Sequence, residues 1–370
     1  EPPPWMEMAS QGSAFEDMHP MIQLHNEIVG FCNLMEPRPE ELEKRQELVE
    51  RFTKLVKKTF GDDADVEVFG SQVTGLCLPT SDIDIAIQIP SDETDGDNAA
   101  AADATDEDIL KSMKAKESPL VRLGSVLQTE WKDELSYLEV IENTRVPLVK
   151  FIMASSNIPV DVCFNQDTGP SAAKLVKQYM EIMPPLRPLT FVLKYFLAAR
   201  ALNQPYSGGV GSFMLQMMIL SFLQHREREA IHYRNPCQQN LGAMLIDFLV
   251  LYSTDFNYIT TGFTVRFDGM YFPKGASDRK EFFWQESRAF SLAIENPLEP
   301  TADVGKPSFR MQTVQRAFEV AYKLLLHRMY EPKENSPSLL ACLLPTTDEM
   351  VERRTMNNTN EAANVIVINY

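Results

Sequence analysis

The densest chemistry in the sequence is Phe69-Gly70-Ser71 followed, after a stretch from Gln72 to Thr80 read as a loop or short helix, by Ser81-Asp82-Ile83-Asp84-Ile85. Ile83 to Ile89 alternates apolar and polar residues, so the spacing predicts a strand with Asp82 and Asp84 on one face and Ile83 and Ile85 buried on the other. Two carboxylates aimed into one space repel and raise one another's pKa, so the arrangement calls for a cation. Few, hard oxygen ligands suit Mg²⁺ (or Mn²⁺), which keeps positions open for phosphates. A third carboxylate, Asp161, stands between the β-branched Val160 and Val162. Gly70-Ser71 supplies backbone N–H groups and a hydroxyl that can approach a phosphate closely. Asp-x-Asp alone is common on solvated strands and Gly-Ser alone is an ordinary turn. Together, with the distant Asp161, they meet the needs of a phosphate cradle beside a two-metal site.

Several elements must position these groups. Met21 to Met35 carries apolar residues at helical spacing, and Pro39 opens a second amphipathic helix over 39–60, with Leu42, Val49, Phe52 and Val56 on one face. Val66 to Phe69, Tyr137 to Glu142, Val146 to Met153 and Val160 to Phe164 read as strands, the last starting after Pro159. From Ser171 the pattern is helical over 171–182, 188–202, 209–225, 239–253 and 308–329, interrupted by a hairpin with Asp268-Gly269 at its turn.

The chain has 370 residues, 44% of them hydrophobic, and a net charge of -17. That charge looks wrong for a protein that handles nucleic acid, but residues 91 to 110 hold eight acidic residues and no Lys or Arg. The stretch reads as a solvated insertion, so any RNA contact must come from a local basic patch. The five cysteines form no CxxC pair and the five histidines show no metal-ligand spacing, which points to a reducing, intracellular setting without a thiolate zinc site. The longest apolar stretches fall short of a membrane span. Gly208 to Ser212 lacks the Walker Lys and follows no strand, which excludes a P-loop ATPase.

Phe69-Gly70-Ser71 through Asp82-Ile83-Asp84, with Asp161 beyond, resembles the nucleotidyltransferases of the DNA polymerase β superfamily. Val146 to Phe151, Val160 to Asn165, Gly208 to Phe213, Asn240 to Gly242 and Ile294 to Pro297 resemble the non-canonical poly(A) polymerases, the RNA-tailing group within it. The resemblance spans about residues 20 to 330. It implies an α+β fold: a mixed-sheet nucleotidyltransferase domain at 37–184 carrying an acidic insertion at 91–117, and a mainly helical central domain from 19–36 and 185–332. A cleft between them would hold the nucleotide. From composition, the Pro-rich and irregular residues 1–18 read as a flexible tail and the polar 345–370 as a loosely attached tail. Asp82, Asp84 and Asp161 would be the catalytic metal ligands. Gly70, Ser71, Lys194 and Ser212 would contact the triphosphate, Asn165 the ribose, and Phe213 the base by stacking, where the family usually has Tyr.

The resemblance further implies addition of AMP from ATP to an RNA 3′ end, with release of pyrophosphate. Thr301-Ala302-Asp303-Val304-Gly305-Lys306 matches the adenylyl-adding type through Asp303-Val304-Gly305 and lacks the His common in uridylyl-adding relatives. Ala302 and Asn296 depart from the adenylyl pattern, so a terminal uridylyltransferase stays open, as does a catalytically silent scaffold. A nucleotidyltransferase for tRNA ends or small molecules is disfavoured by the central-domain stretches. No RNA-binding module is visible, and the resemblance implies a zinc-knuckle RNA-binding protein and an RNA helicase as partners, no membrane, and a nuclear setting.

Overall fold

The 39–60 periodicity folds into the helix Pro39–Phe60 in a computed structural model that describes residues 3–9, 18–90, 118–143, 146–232, 240–284, 286–331 and 338–359. Pro39 takes the first helical position, the Glu41 carboxylate accepts from Arg38 N at 2.8 Å, and Gly61 at φ 102° ends the helix. The helix buries Leu48, Phe52, Leu55 and Val56. It belongs to the first of two units into which the chain divides, Pro37–Lys177.

This unit contains a five-stranded sheet of β1 (Asp65–Phe69), β2 (Ile83–Gln88), β3 (Leu135–Ile141), β4 (Leu148–Met153) and β5 (Pro159–Phe164), in the order β1-β2-β5-β4-β3. The β2–β5 pair is parallel and the other three pairs are antiparallel. Ile83, Ile85, Ile87, Val160 and Val162 are buried, together with Phe52, Trp131 and Phe151, whose rings pack 5.6–6.2 Å apart. Each such side chain contributes roughly 1.5–3 kcal/mol by leaving water. That apolar face leaves the opposite face of β2, β5 and β4 for polar side chains. The helix Pro119–Glu130, capped by Ser118, was not anticipated from the sequence; it buries Leu123 and Leu127 against the same core. The acidic insertion 91–117 lies outside the described residues.

The second unit joins Glu1–Glu36 to Gln178–Tyr370. Its helices include Pro20–Met35, Leu186–Ala198, Ser212–His232, Leu241–Val250 and Met311–Tyr330, beside a small sheet of β6 (Thr261–Thr264), β7 (Met270–Pro273) and β8 (Ala293–Ile294) in the order β7-β6-β8. The expected hairpin turns through Phe267, Asp268 and Gly269, all at positive φ. Both supposed tails hold structure. Pro4–Ala9 is helical and Trp5 is fully buried, donating from Nε1 to Glu27. Asp348–Thr359 is also a helix, and its buried Arg353 donates to Leu34 O at 3.1 Å and Glu36 O at 2.8 Å. Both segments are too polar or proline-rich to show periodicity, because an indole and a guanidinium, rather than an apolar stripe, attach them. Glu27, fully buried, also accepts from Gln23, from Ser338 Oγ, and from the backbone N–H groups of Leu339 and Leu340. Among the described residues no helix is long and apolar enough to cross a membrane.

Candidate active site

Strand register assembles the site. Phe69 pairs with Asp84, Asp84 with Asp161, Asp161 with Lys150, and Lys150 with Glu139, so one row crosses all five strands. Directly paired residues share a sheet face, and the pattern of alternate burial along β2, β4 and β5 puts Asp84, Lys150 and Asp161 on the face opposite the core. The Lys150 ammonium lies 2.9 Å from Asp161 Oδ1 and 3.1 Å from Oδ2. Burial pushes the Asp161 carboxyl above its usual range, and the neighbouring Asp82 adds to this, while the hydrogen bond and charge of Lys150 oppose it. Burial lowers the Lys150 pKa, but the hydrogen bond to Asp161 and the charges of Asp161, Asp82 and Asp84 outweigh it and leave the ammonium held above its usual value.

Asp82 stands one residue ahead of β2, and the turn that delivers it is pinned from the helix Pro39–Phe60. There the buried Arg45 donates from Nη2 to Pro79 O at 3.0 Å and to Ser81 O at 2.6 Å, and Ser81 Oγ accepts from Leu78 N. Upstream, β1 runs into a short helix, Gly70–Thr74. At Gly70 (φ 67°) a Cβ would fall 2.0 Å from Asp84 Oδ2, so the close approach that this glycine permits is to a carboxylate of the site. The Ser71 hydroxyl is buried and has no hydrogen-bond partner among the described residues. Asn165, exposed and at φ 50°, accepts at Oδ1 from Ile89 N at 2.9 Å, closing the end of β2.

The donor set suits a divalent ion: carboxylates on adjacent strands, a buried unpartnered hydroxyl next to Gly70, and a lysine drawn in by the same negative charge. The three-carboxylate cage expected from the sequence is nevertheless not preassembled. Among the described residues no three His, Cys, Asp or Glu side chains are gathered to hold a metal, and Asp161 is engaged by Lys150. Arg45 and Lys150 both escaped the sequence reading. Lys150 stood within the Val146–Phe151 stretch, but a lysine in a strand carries no mark of its neighbours until register is known.

The remaining expected residues lie in the second unit. Lys194 is half-buried on Leu186–Ala198, and Ser212 is the exposed first residue of Ser212–His232, followed by the half-buried Phe213. Asp303 Oδ1 accepts from Ile294 N at 2.9 Å and Gly305 N at 2.8 Å, so that oxygen organises its own loop. Burial pushes the Asp303 carboxyl up to about 6 against those two bonds and the charges of Lys274 and Lys306. A Cβ at Gly305 would meet Leu292 O at 1.8 Å, which requires glycine there. Glu295, nearly inaccessible, binds Thr264 Oγ1 and the Arg266 guanidinium and lies 2.6 Å from Arg279 Nη1.

Comparison with known proteins places this geometry. The family described as "Poly(A) RNA polymerase, mitochondrial-like, central palm domain" matches residues 24–181, and "Cid1 family poly A polymerase" matches 240–302. The inactive non-canonical poly(A) RNA polymerase protein Trf4-2 of Drosophila melanogaster is 32% identical over 81% of this chain and 67% of its own length. This chain belongs to the non-canonical poly(A) RNA polymerase family. A second family member, poly(A) RNA polymerase CID14 of Cryptococcus neoformans, is 31% identical over 90% of this chain, which spans only 39% of that relative. The solved polymerase core of TRAMP, an RNA surveillance complex, superposes with a TM-score of 0.72 at 29% identity, covering 95% of this chain and 98% of that one. The first matched region contains Gly70, Ser71, Asp82, Asp84, Asp161 and Asn165. Lys194, Ser212 and Phe213 fall between the two regions, and Asp303 lies one residue past the second.

Proposed function

We propose that the chain is the catalytic part of a template-independent adenylyltransferase that transfers AMP from ATP to an RNA 3′ end and releases pyrophosphate. The observation that carries the reading is the register setting Asp84 beside Asp161, with Gly70 packed on Asp84, in a chain of this family. Asp82, Asp84 and Asp161 would hold Mg²⁺ or Mn²⁺. Bound there, the ions supply charge neutralisation at the triphosphate and acidify the attacking 3′-hydroxyl. Ser71 is the donor for a phosphate oxygen, since its buried hydroxyl has no other partner among the described residues. Arg45 keeps Asp82 in place through the turn before β2. By resemblance Lys194 and Ser212 bind the triphosphate, Asn165 the ribose through its remaining amide group, and Phe213 the base. Asp303, whose Oδ1 shapes the loop, contributes to adenine selection through that loop's conformation.

ATP is favoured over UTP by the absence of His from 301–306. The wider setting belongs to the same proposal: a nuclear polymerase working with a zinc-knuckle RNA-binding protein and a helicase, supported by the likeness to a polymerase core from an RNA surveillance complex. The inactive Drosophila relative supports one competing reading, a silent scaffold. The test incubates purified protein with Mg²⁺, a labelled RNA and each NTP separately, beside Asp82→Ala/Asp84→Ala. An ATP-dependent ladder lost in the variant supports the proposal, and a UTP ladder moves the chain to the uridylyl group. Nucleotide binding without extension, even with the partners added, favours the scaffold. Affinity purification that recovers neither partner counts against the assembly.

A further inference from the structure

Lys150 is the residue of the site that no part of this mechanism uses. It stands in the row Asp84, Asp161, Lys150, Glu139, its ammonium donating to Asp161 Oδ2, 2.9 Å from Oδ1, and within the field of Asp82 and Asp84. Lysine side chains on strands face solvent at little cost, whereas this one is two-thirds buried (33% exposed) beside an Asp161 side chain that is 21% exposed. A desolvated ammonium stays there because the carboxylates around it leave the face strongly negative. A divalent ion bound by Asp161 would sit within a few ångströms of the Lys150 ammonium, and the repulsion between the two weakens the hold of each on the shared carboxylate. Across the next strand pair, the exposed Glu139 offers Lys150 a second anion when it leaves Asp161.

We propose that Lys150 is a resident counter-ion that keeps Asp161 in position while the carboxylates lack a divalent cation, and that it competes with that cation for the Asp161 oxygens. The inference rests on the metal-site reading above. Lys150 thereby sets how much free Mg²⁺ the site requires, at the benefit of a sheet that stays assembled without metal.

The test is Mn²⁺ titration of the full chain, followed by electron paramagnetic resonance of the free ion, for the wild type, Lys150→Met and Asp161→Asn. Lys150→Met is expected to bind Mn²⁺ roughly tenfold more tightly, the scale of one nearby charge in a half-exposed site. Its melting temperature in EDTA is expected to fall below wild type and to rise more on adding Mn²⁺. Unchanged or weaker Mn²⁺ binding by Lys150→Met, with Asp161→Asn abolishing it, overturns the counter-ion role and leaves the metal site standing. If Asp161→Asn leaves Mn²⁺ binding intact, both readings fall. Should Lys150→Met not fold, amine labelling of the wild type read by mass spectrometry serves instead. Lys150 is expected to react several times faster in Mg²⁺ than in EDTA, and equal or slower reaction overturns the proposal.

Discussion

Two groups of acids among the described residues are held in opposite ways. In the second unit Glu295 meets Arg266, Arg279 and Thr264, and Asp303 meets two backbone amides, so these carboxylates are matched by groups of the fold itself. On the five-stranded sheet Asp84 and Asp161 lie side by side, Asp82 joins their field, and a lysine sits among them, while the nearby Ser71 hydroxyl has no hydrogen-bond partner among the described residues. A matched acid fixes a loop; a crowded one stores negative potential that a ligand can use.

Substitutions should separate the two regions. The largest effect falls on Asp82→Ala/Asp84→Ala, which is expected to lower nucleotide addition at least about 100-fold in a primer-extension assay while the fold is retained, since both side chains are only half-buried. Glu295→Gln should do the reverse. It strips the partner from a guanidinium pair around a 6% exposed side chain, and a loss of about 3 kcal/mol is expected in urea unfolding. Gly70→Ala sits between these extremes: a Cβ driven into Asp84 at positive φ should cost about 1–3 kcal/mol and depress activity as well.

The last contrast is read in pH. The Asp303 carboxyl, about 6 in the folded chain against an ordinary value near 3.8, makes the folded state bind more protons than the unfolded one between those values. Its contribution therefore declines as pH rises from about 4 to 6 and is constant above. Asp303→Asn, which retains an acceptor oxygen for the two amides, should flatten that part of the stability profile, as urea titrations at several pH values would reveal.

These contrasts also mark what could be read in advance. Elements with an apolar period, Pro39–Phe60 and β2 above all, were legible because burial writes its spacing into the sequence. Asp82, Asp84 and Asp161 were visible as a carboxylate set for the same reason, each adjoining apolar residues that fix its face. The Lys150–Asp161 pair was not, because it depends on the register of β4 against β5, which neither strand's own pattern states. The two-residue β8 is too short to carry a period, and the attachment of 348–359 runs through Arg353.

Glu27 has a further consequence, in the order of events during synthesis. Residues 37–177 form a continuous unit, so every strand of the five-stranded sheet has been made once Phe164 has left the ribosome. Glu27 is made before any of them, yet its acceptors' partners at 338–340 appear some three hundred residues later. Until then a charged group destined for complete burial must remain hydrated, and the helix that carries it waits for its other half. The five-stranded sheet can thus mature early on the growing chain, while the split unit closes only after residues 338–340 have been made.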